Sequence, residues 1–155
     1  MAVISRIELY ERPEQFVISV RKTIDFFSQF EGLAGQTFDA ILQYAEKNGI
    51  LFSGCPFTCY HNTDLAQLDV EIGFPVPERV KVEDKQLAGR FIPAQKMVCG
   101  ISQGPYSETD ALMAQIFEWI AANGLEPKGG VYHYYLNDDS RPESELLVEL
   151  VVPVK

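Results

Sequence analysis

The sequence predicts an α+β fold: one β-α-β-β module repeated twice, with antiparallel sheets carrying two helices on one side and a groove on the other. Three observations carry this. Asn48-Gly49-Ile50 recurs as Asn123-Gly124-Leu125, Gly54 as Gly129 and Asn62 as Asn137, each 75 residues later. Val70-Glu71-Ile72 and Pro75-Val76 recur as Val148-Glu149-Leu150 and Pro153-Val154, now 78 residues later. Both halves also show the same succession of strand-period and helix-period segments. The three extra residues fall around Asp138 to Glu145, a polar, Pro-containing stretch suited to a loop.

The first copy opens with a strand near Gln15 to Lys22, where Phe16, Ile18 and Val20 alternate with Val17, Ser19 and Arg21. A helix is expected from Phe38 to Asn48. Thr37 would cap it, Phe38, Ile41, Leu42 and Ala45 form its apolar face, and Gly49 ends it. Two strands follow, near Phe57 to His61 and Leu68 to Phe74. The second copy repeats this with a strand near Lys96 to Ser102 and a helix over Glu108 to Asn123. Its last strands lie near Val131 to Leu136 and Leu146 to Val152. Ser107 and Asp110 form a candidate capping box, and Leu112, Ile116, Trp119 and Ile120 a buried face. Pro75 and Pro153 are expected to end the last strand of each copy, since proline cannot donate to a ladder. Residues 1–12 read as either a flexible arm or an edge strand.

A chain of 155 residues with 46% apolar and 23% charged residues suits one soluble domain: module one over 13–77, a charged connector over 78–94 with a strand-like start, and module two over 95–155. A net charge of −9 with scattered Lys and Arg argues against nucleic acid. No apolar run is long enough for a bilayer, and the N-terminus reaches acidic residues too soon for a signal peptide, so the expected compartment is the cytoplasm. Cys55, Cys59 and Cys99 read as buried thiols. Cys55, Cys59 and His61 lack the second ligand pair of a zinc site, so no metal or cofactor is expected. No dinucleotide fingerprint, Walker loop or Ser-His-Asp pattern is present.

Strand alternation sorts the remaining polar residues. Val148, Leu150 and Val152 should face the helix, which turns Glu149 to the opposite face, and the repeat does the same for Glu71. Tyr132 and Tyr134 share one parity, and Val131, His133 and Tyr135 the other. Hydrophobicity does not decide which of these faces the helix. A groove of aromatics with a few acids has the composition of a ligand site. A sheet face left to water is the competing reading.

The chain resembles the GyrI-like small-molecule-binding domains, also found as effector-binding domains of multidrug-sensing transcription regulators. The resemblance rests on Gly104-Pro105-Tyr106, Trp119-Ile120 followed by Asn123-Gly124-Leu125, and Tyr135-Leu136-Asn137-Asp138. It rests also on Glu149 before Pro153-Val154 and, in the first half, on Asp69 to Gly73 with Pro75-Val76. It implies duplicated SHS2-type modules binding hydrophobic, often cationic, molecules in the groove between them. Where the family carries an aromatic-Glu pair in the fifth strand, this chain has Tyr132-His133. Aligning His133 with that groove position puts Tyr135 in the groove and Tyr132 and Tyr134 behind the sheet. If His133 and Glu149, as hairpin neighbours, come within hydrogen-bonding range, they would form a nearly neutral pair with a raised His pKa, favouring uncharged aromatic ligands; if they stay apart, Glu149 is free to attract a cation. The expected ligand residues are His133, Glu149, Tyr135, Glu71, Tyr60 and Tyr106, while Trp119 reads as core and His61 as a turn residue. No helix-turn-helix fits in these residues, so a sensor role would be exercised as a detached module. The resemblance leaves two alternatives: a hydrolase of strained, cyclopropane-bearing toxins, and a gyrase-inhibitor-like modulator with a protein partner.

Overall fold

The computed structural model describes residues 2–155. The chain divides into two compact units: a central one, Pro13–Ala94, and a terminal one made of Met1–Arg12 together with Gln95–Lys155.

In the central unit, strands β3 (Gln15–Ile24), β4 (Phe57–Tyr60), β5 (Leu68–Val76) and β6 (Ala88–Ile92) form an antiparallel sheet in the order β4-β5-β3-β6. Helix α1 (Phe26–Asn48) covers one face. Ile18, Val20, Phe74 and Val76 pack with Ile41 and Phe38, and Leu68, Val70 and Ile72 pack with Phe26, Phe30 and Leu33.

This helix begins twelve residues before the expected start. Asp25 is the true N-cap: its carboxylate accepts from Ser28 N at 3.1 Å, and Gln29 Oε1 accepts from Asp25 N at 2.8 Å, a reciprocal cap. Gly32 and Gly35 mask the first half in the sequence, because each costs a helix about 1 kcal/mol against Ala. Burying Phe26, Phe30, Leu33 and Ala34 on the sheet offsets that cost. Thr37, the expected cap, is a buried residue inside the helix. The C-terminal stop is as expected: Gly49 adopts φ 63°, and Ile50 N donates to Ala45 O.

In the terminal unit, β7 (Gln95–Gln103) pairs on one edge with β1 (Ala2–Val3) and β2 (Glu8–Arg12), and on the other with β9 (Leu147–Pro153). Strand β8 (Val131–Tyr135) closes the order β2-β7-β9-β8. Helix α2 (Asp110–Ala122) lays Leu112, Ile116 and Ile120 on Val98, Val148, Leu150 and Val152. A 3₁₀ turn at Tyr106–Glu108 precedes the helix, and the N-cap is Thr109, so Ser107 makes no capping box.

The order β2-β7-β9-β8 repeats β6-β3-β5-β4 strand for strand. Residues 2–12 therefore take the edge-strand alternative, and the connector's strand sits at its end, not its start. Pro75 lies within β5 opposite Val17, and its carbonyl accepts from Ser53 N at 3.0 Å. Pro153 accepts in the same way from Lys128 N at 2.8 Å. Each proline loses only a donor there, and the repeated acceptor pairs each sheet with the loop after its helix. Among the described residues no helix is long and apolar enough to cross a membrane.

Candidate functional site

Each sheet turns a repeat-related glutamate away from its helix. Glu71 lies opposite Arg21 and Cys59 in the ladders, and Glu149 opposite Ile101 and Tyr134. Directly opposed residues in an antiparallel ladder share a face. Glu71, Cys59 and Ser19 thus form one helix-free cluster, and Glu149, Tyr134, Tyr132, Val151 and Cys99 form its counterpart.

The two carboxylates differ in how fully they are occupied. Glu71 is completely buried. It accepts from Ser19 Oγ at 2.7 Å, from Arg90 Nε at 2.7 Å, from Arg90 Nη2 at 2.6 Å and from His61 Nε2 at 3.0 Å. Burial alone would raise its pKa. The hydrogen bonds from His61, Arg90 and Ser19 outweigh that and hold it at about 2. A carboxylate whose lone pairs are filled by its own protein has a structural task. His61, expected as a turn residue, belongs to this cluster, with Nδ1 3.9 Å from the buried Cys59 Sγ.

Glu149 is part-exposed at 19% and has one hydrogen-bonding partner among the described residues, Arg12 Nη2 at 2.5 Å. The Arg12 guanidinium also lies 5.4 Å from the centre of the Tyr134 ring. Cys99, the repeat equivalent of Ser19, lies near by. Burial pushes its thiol up to about 11, against the pull of Arg12. The site therefore combines a reachable carboxylate, one cation and two buried tyrosine rings, Tyr132 and Tyr134, stacked at 6.0 Å.

The β8 register corrects the expected face of His133. It is the ladder partner of Leu150, so it points to the helix side and does not pair with Glu149. Burial lowers its pKa to about 4, the reverse of the expected rise, and keeps the ring neutral. Tyr135 shares that side, packing on the α2 core and on Tyr106 at 5.0 Å. Tyr60 packs on Phe26 and Phe30 at the start of α1. Of the six expected ligand residues, only Glu71 and Glu149 lie on the helix-free faces.

Sequence reasoning missed Arg12, Arg90, Tyr132 and Tyr134. A signal existed for the two arginines. Arg12-Pro13-Glu14-Gln15 and Ile92-Pro93-Ala94-Gln95 share the Pro and Gln at an offset of 80, marking a repeated edge strand before each module. The arginines are not repeat equivalents, since Tyr10 matches Arg90 and Arg12 matches Ile92. Each sheet nonetheless recruits a guanidinium to its glutamate. No group of three or more candidate metal ligands occurs among the described residues. Concavities lie in the central unit. A cavity of about 60 Å³ beside Arg79 and Phe91 has room for little beyond water, and an open groove of about 480 Å³ runs between Tyr44 and Lys81. Neither includes Glu71 or Glu149.

A duplicated α+β unit presenting a carboxylate and aromatic rings on its helix-free face has the makings of a small-molecule-binding module. Residues 6–155 match the GyrI-like small molecule binding domain, and the chain belongs to that family. It is similar to the EcmrR C-terminal domain, with 25% identity and a TM-score of 0.82, over 97% of each chain. It matches the longer EcmrR chain of an EcmrR–DNA complex equally well, spanning 57% of that chain's length. A hydrolase from Listeria innocua shares the fold at 14% identity and a TM-score of 0.72, over 99% of this chain and 94% of that one. No curated protein matches the chain.

Proposed function

We propose that this member of the family binds small, largely apolar aromatic molecules on the helix-free face of the terminal unit, with Glu149 and Tyr134 as the recognition pair. The observation that supports this reading is the inequality of the two repeat-related carboxylates. Glu71 is saturated by its own protein, whereas Glu149 is part-exposed and holds one partner beside an aromatic ring. Rings supply area and a carboxylate supplies orientation, the usual division of labour in a ligand site. Binding is favoured over hydrolysis because His133 is buried and turned to the helix side, away from Glu149, so its imidazole does not stand beside the carboxylate.

The experiment is a thermal-shift screen of aromatic compounds, followed by calorimetry on the hits. A ligand that binds only the folded state raises the melting temperature. Hits whose affinity falls in both Glu149→Gln and Tyr134→Leu support the proposed face. Hits indifferent to both substitutions would place the ligand elsewhere.

A further inference from the structure

Arg12 stands where a cationic ligand would stand. Its guanidinium meets Glu149 and overlies Tyr134, and a carboxylate with an aromatic face is the pair by which a protein recognises an organic cation. The arginine is part-buried, with 24% of its side chain exposed. It ends β2, which among the described residues pairs with β7, and Pro13 follows it with no backbone N–H to prolong the ladder. The comparison with Glu71 sharpens the point. That glutamate would keep its hydrogen bonds from Ser19 and His61 if Arg90 left, whereas Glu149 has no other partner among the described residues.

We propose that Arg12 is a resident counter-cation that sets the charge preference of the ligand face. This rests on the binding role proposed above. With Arg12 seated, the Arg12–Glu149 pair is neutral, while Glu8, opposite Cys99 on the same face, keeps one negative charge there, and the face favours uncharged aromatic molecules over the cations that a bare Glu149 would draw. A cation enters only by lifting the Arg12 side chain away from Glu149 and Tyr134. The neutral site expected from a His133–Glu149 pair is thus assigned to a different residue, one supplied by the N-terminal strand.

The test uses two probes of nearly the same shape and opposite charge, tetraphenylphosphonium and tetraphenylborate, titrated into the full chain by calorimetry. The readout is the ratio of their affinities, which removes the uniform background of the acidic protein. Arg12→Gln should raise the cation-to-anion ratio by about tenfold or more. Arg141→Gln, which makes the same charge change at an exposed position, should leave it within about twofold. Arg12→Met keeps the packing of the stem and serves as a second variant should the first fold poorly. Adding Glu149→Gln to Arg12→Gln should return the ratio toward the native value. Equal ratios in the Arg12 and Arg141 variants would overturn the inference and leave the binding role standing. Failure of both probes with every variant would overturn the two together.

Discussion

Tyr134 stands directly across from Glu149 in the β8–β9 ladder, while its neighbour His133 stands across from Leu150. One residue of register therefore decides which of the two turns to the helix-free face and which turns to the helix side. Replacing Tyr134 by Leu removes a ring from the carboxylate's face. The expected loss is about 0.5–2 kcal/mol, or roughly 2- to 30-fold in affinity for an aromatic hit. His133→Gln should leave that affinity unchanged when measured well below its melting temperature. An equal loss in the two variants would show that the face assignment is wrong.

Burial of His133 makes stability depend on pH. Its pKa falls from 6.5 to about 4 on folding, so the unfolded chain takes up the proton first as pH drops. The contribution is fully present above pH 6.5 and is lost as pH falls through the window down to about 4. Over that window it amounts to roughly 3 kcal/mol. Denaturant unfolding at pH 7 and pH 4.5 should show this loss in the native chain and a smaller one in His133→Gln. An NMR titration in which the His133 ring protonates near 6.5 in the folded chain would refute it.

Glu71 acts in a lower window. Its folded pKa is depressed to about 2, so its stabilisation holds above pH 4.5 and disappears as pH falls toward 2. Glu71→Gln removes the charge and leaves Arg90 without its carboxylate. About 2–4 kcal/mol of stability at pH 7 should go, less than for a fully buried pair because Arg90 is 32% exposed. Glu149→Gln should cost about 1 kcal/mol or less in the same unfolding experiment, which distinguishes a structural carboxylate from a ligand-facing one.

Two glycines should respond in opposite directions to alanine. A Cβ on Gly73 would lie 2.5 Å from the Ile18 carbonyl oxygen and 2.8 Å from Ser19 Cβ, forcing β5 and β3 apart. Gly73→Ala should cost about 1–3 kcal/mol. Gly32 is exposed in α1 with nothing within 4 Å of the added atom, and Gly32→Ala should stabilise by about 0.5–1 kcal/mol. Chemical denaturation of the two variants checks both signs.

The repeated core was legible because burial and periodicity coincide there. The outward turn of Glu71 and Glu149 follows from the alternation Val148, Leu150 and Val152, and Gly49 had to stop a helix. The front half of α1 was not legible, because Gly32 and Gly35 argue locally against a helix that Phe26 and Phe30 stabilise only through the sheet. The face of β8 was hidden for another reason. Val131, Tyr132, His133, Tyr134 and Tyr135 are apolar or amphipathic on both parities, and only pairing with β9 breaks the tie. Arg12 and Arg90 reach their glutamates across the sheet, a relation that local spacing does not encode.

The terminal unit is finished by residues made long before the rest of it. Glu8–Arg12 leaves the ribosome ahead of all of Pro13–Ala94, yet its ladder partner is Gln95–Gln103. The central unit has its four strands once Ile92 has emerged, while β2 must wait with its backbone groups unpaired until β7 is synthesised. Glu8, Glu11 and Arg12 put charge on that waiting strand, which discourages pairing with another chain in the interval. The arm therefore cannot dock before β7 has been made, and a peptide of residues 1–12 added to a chain lacking them should restore the missing strand.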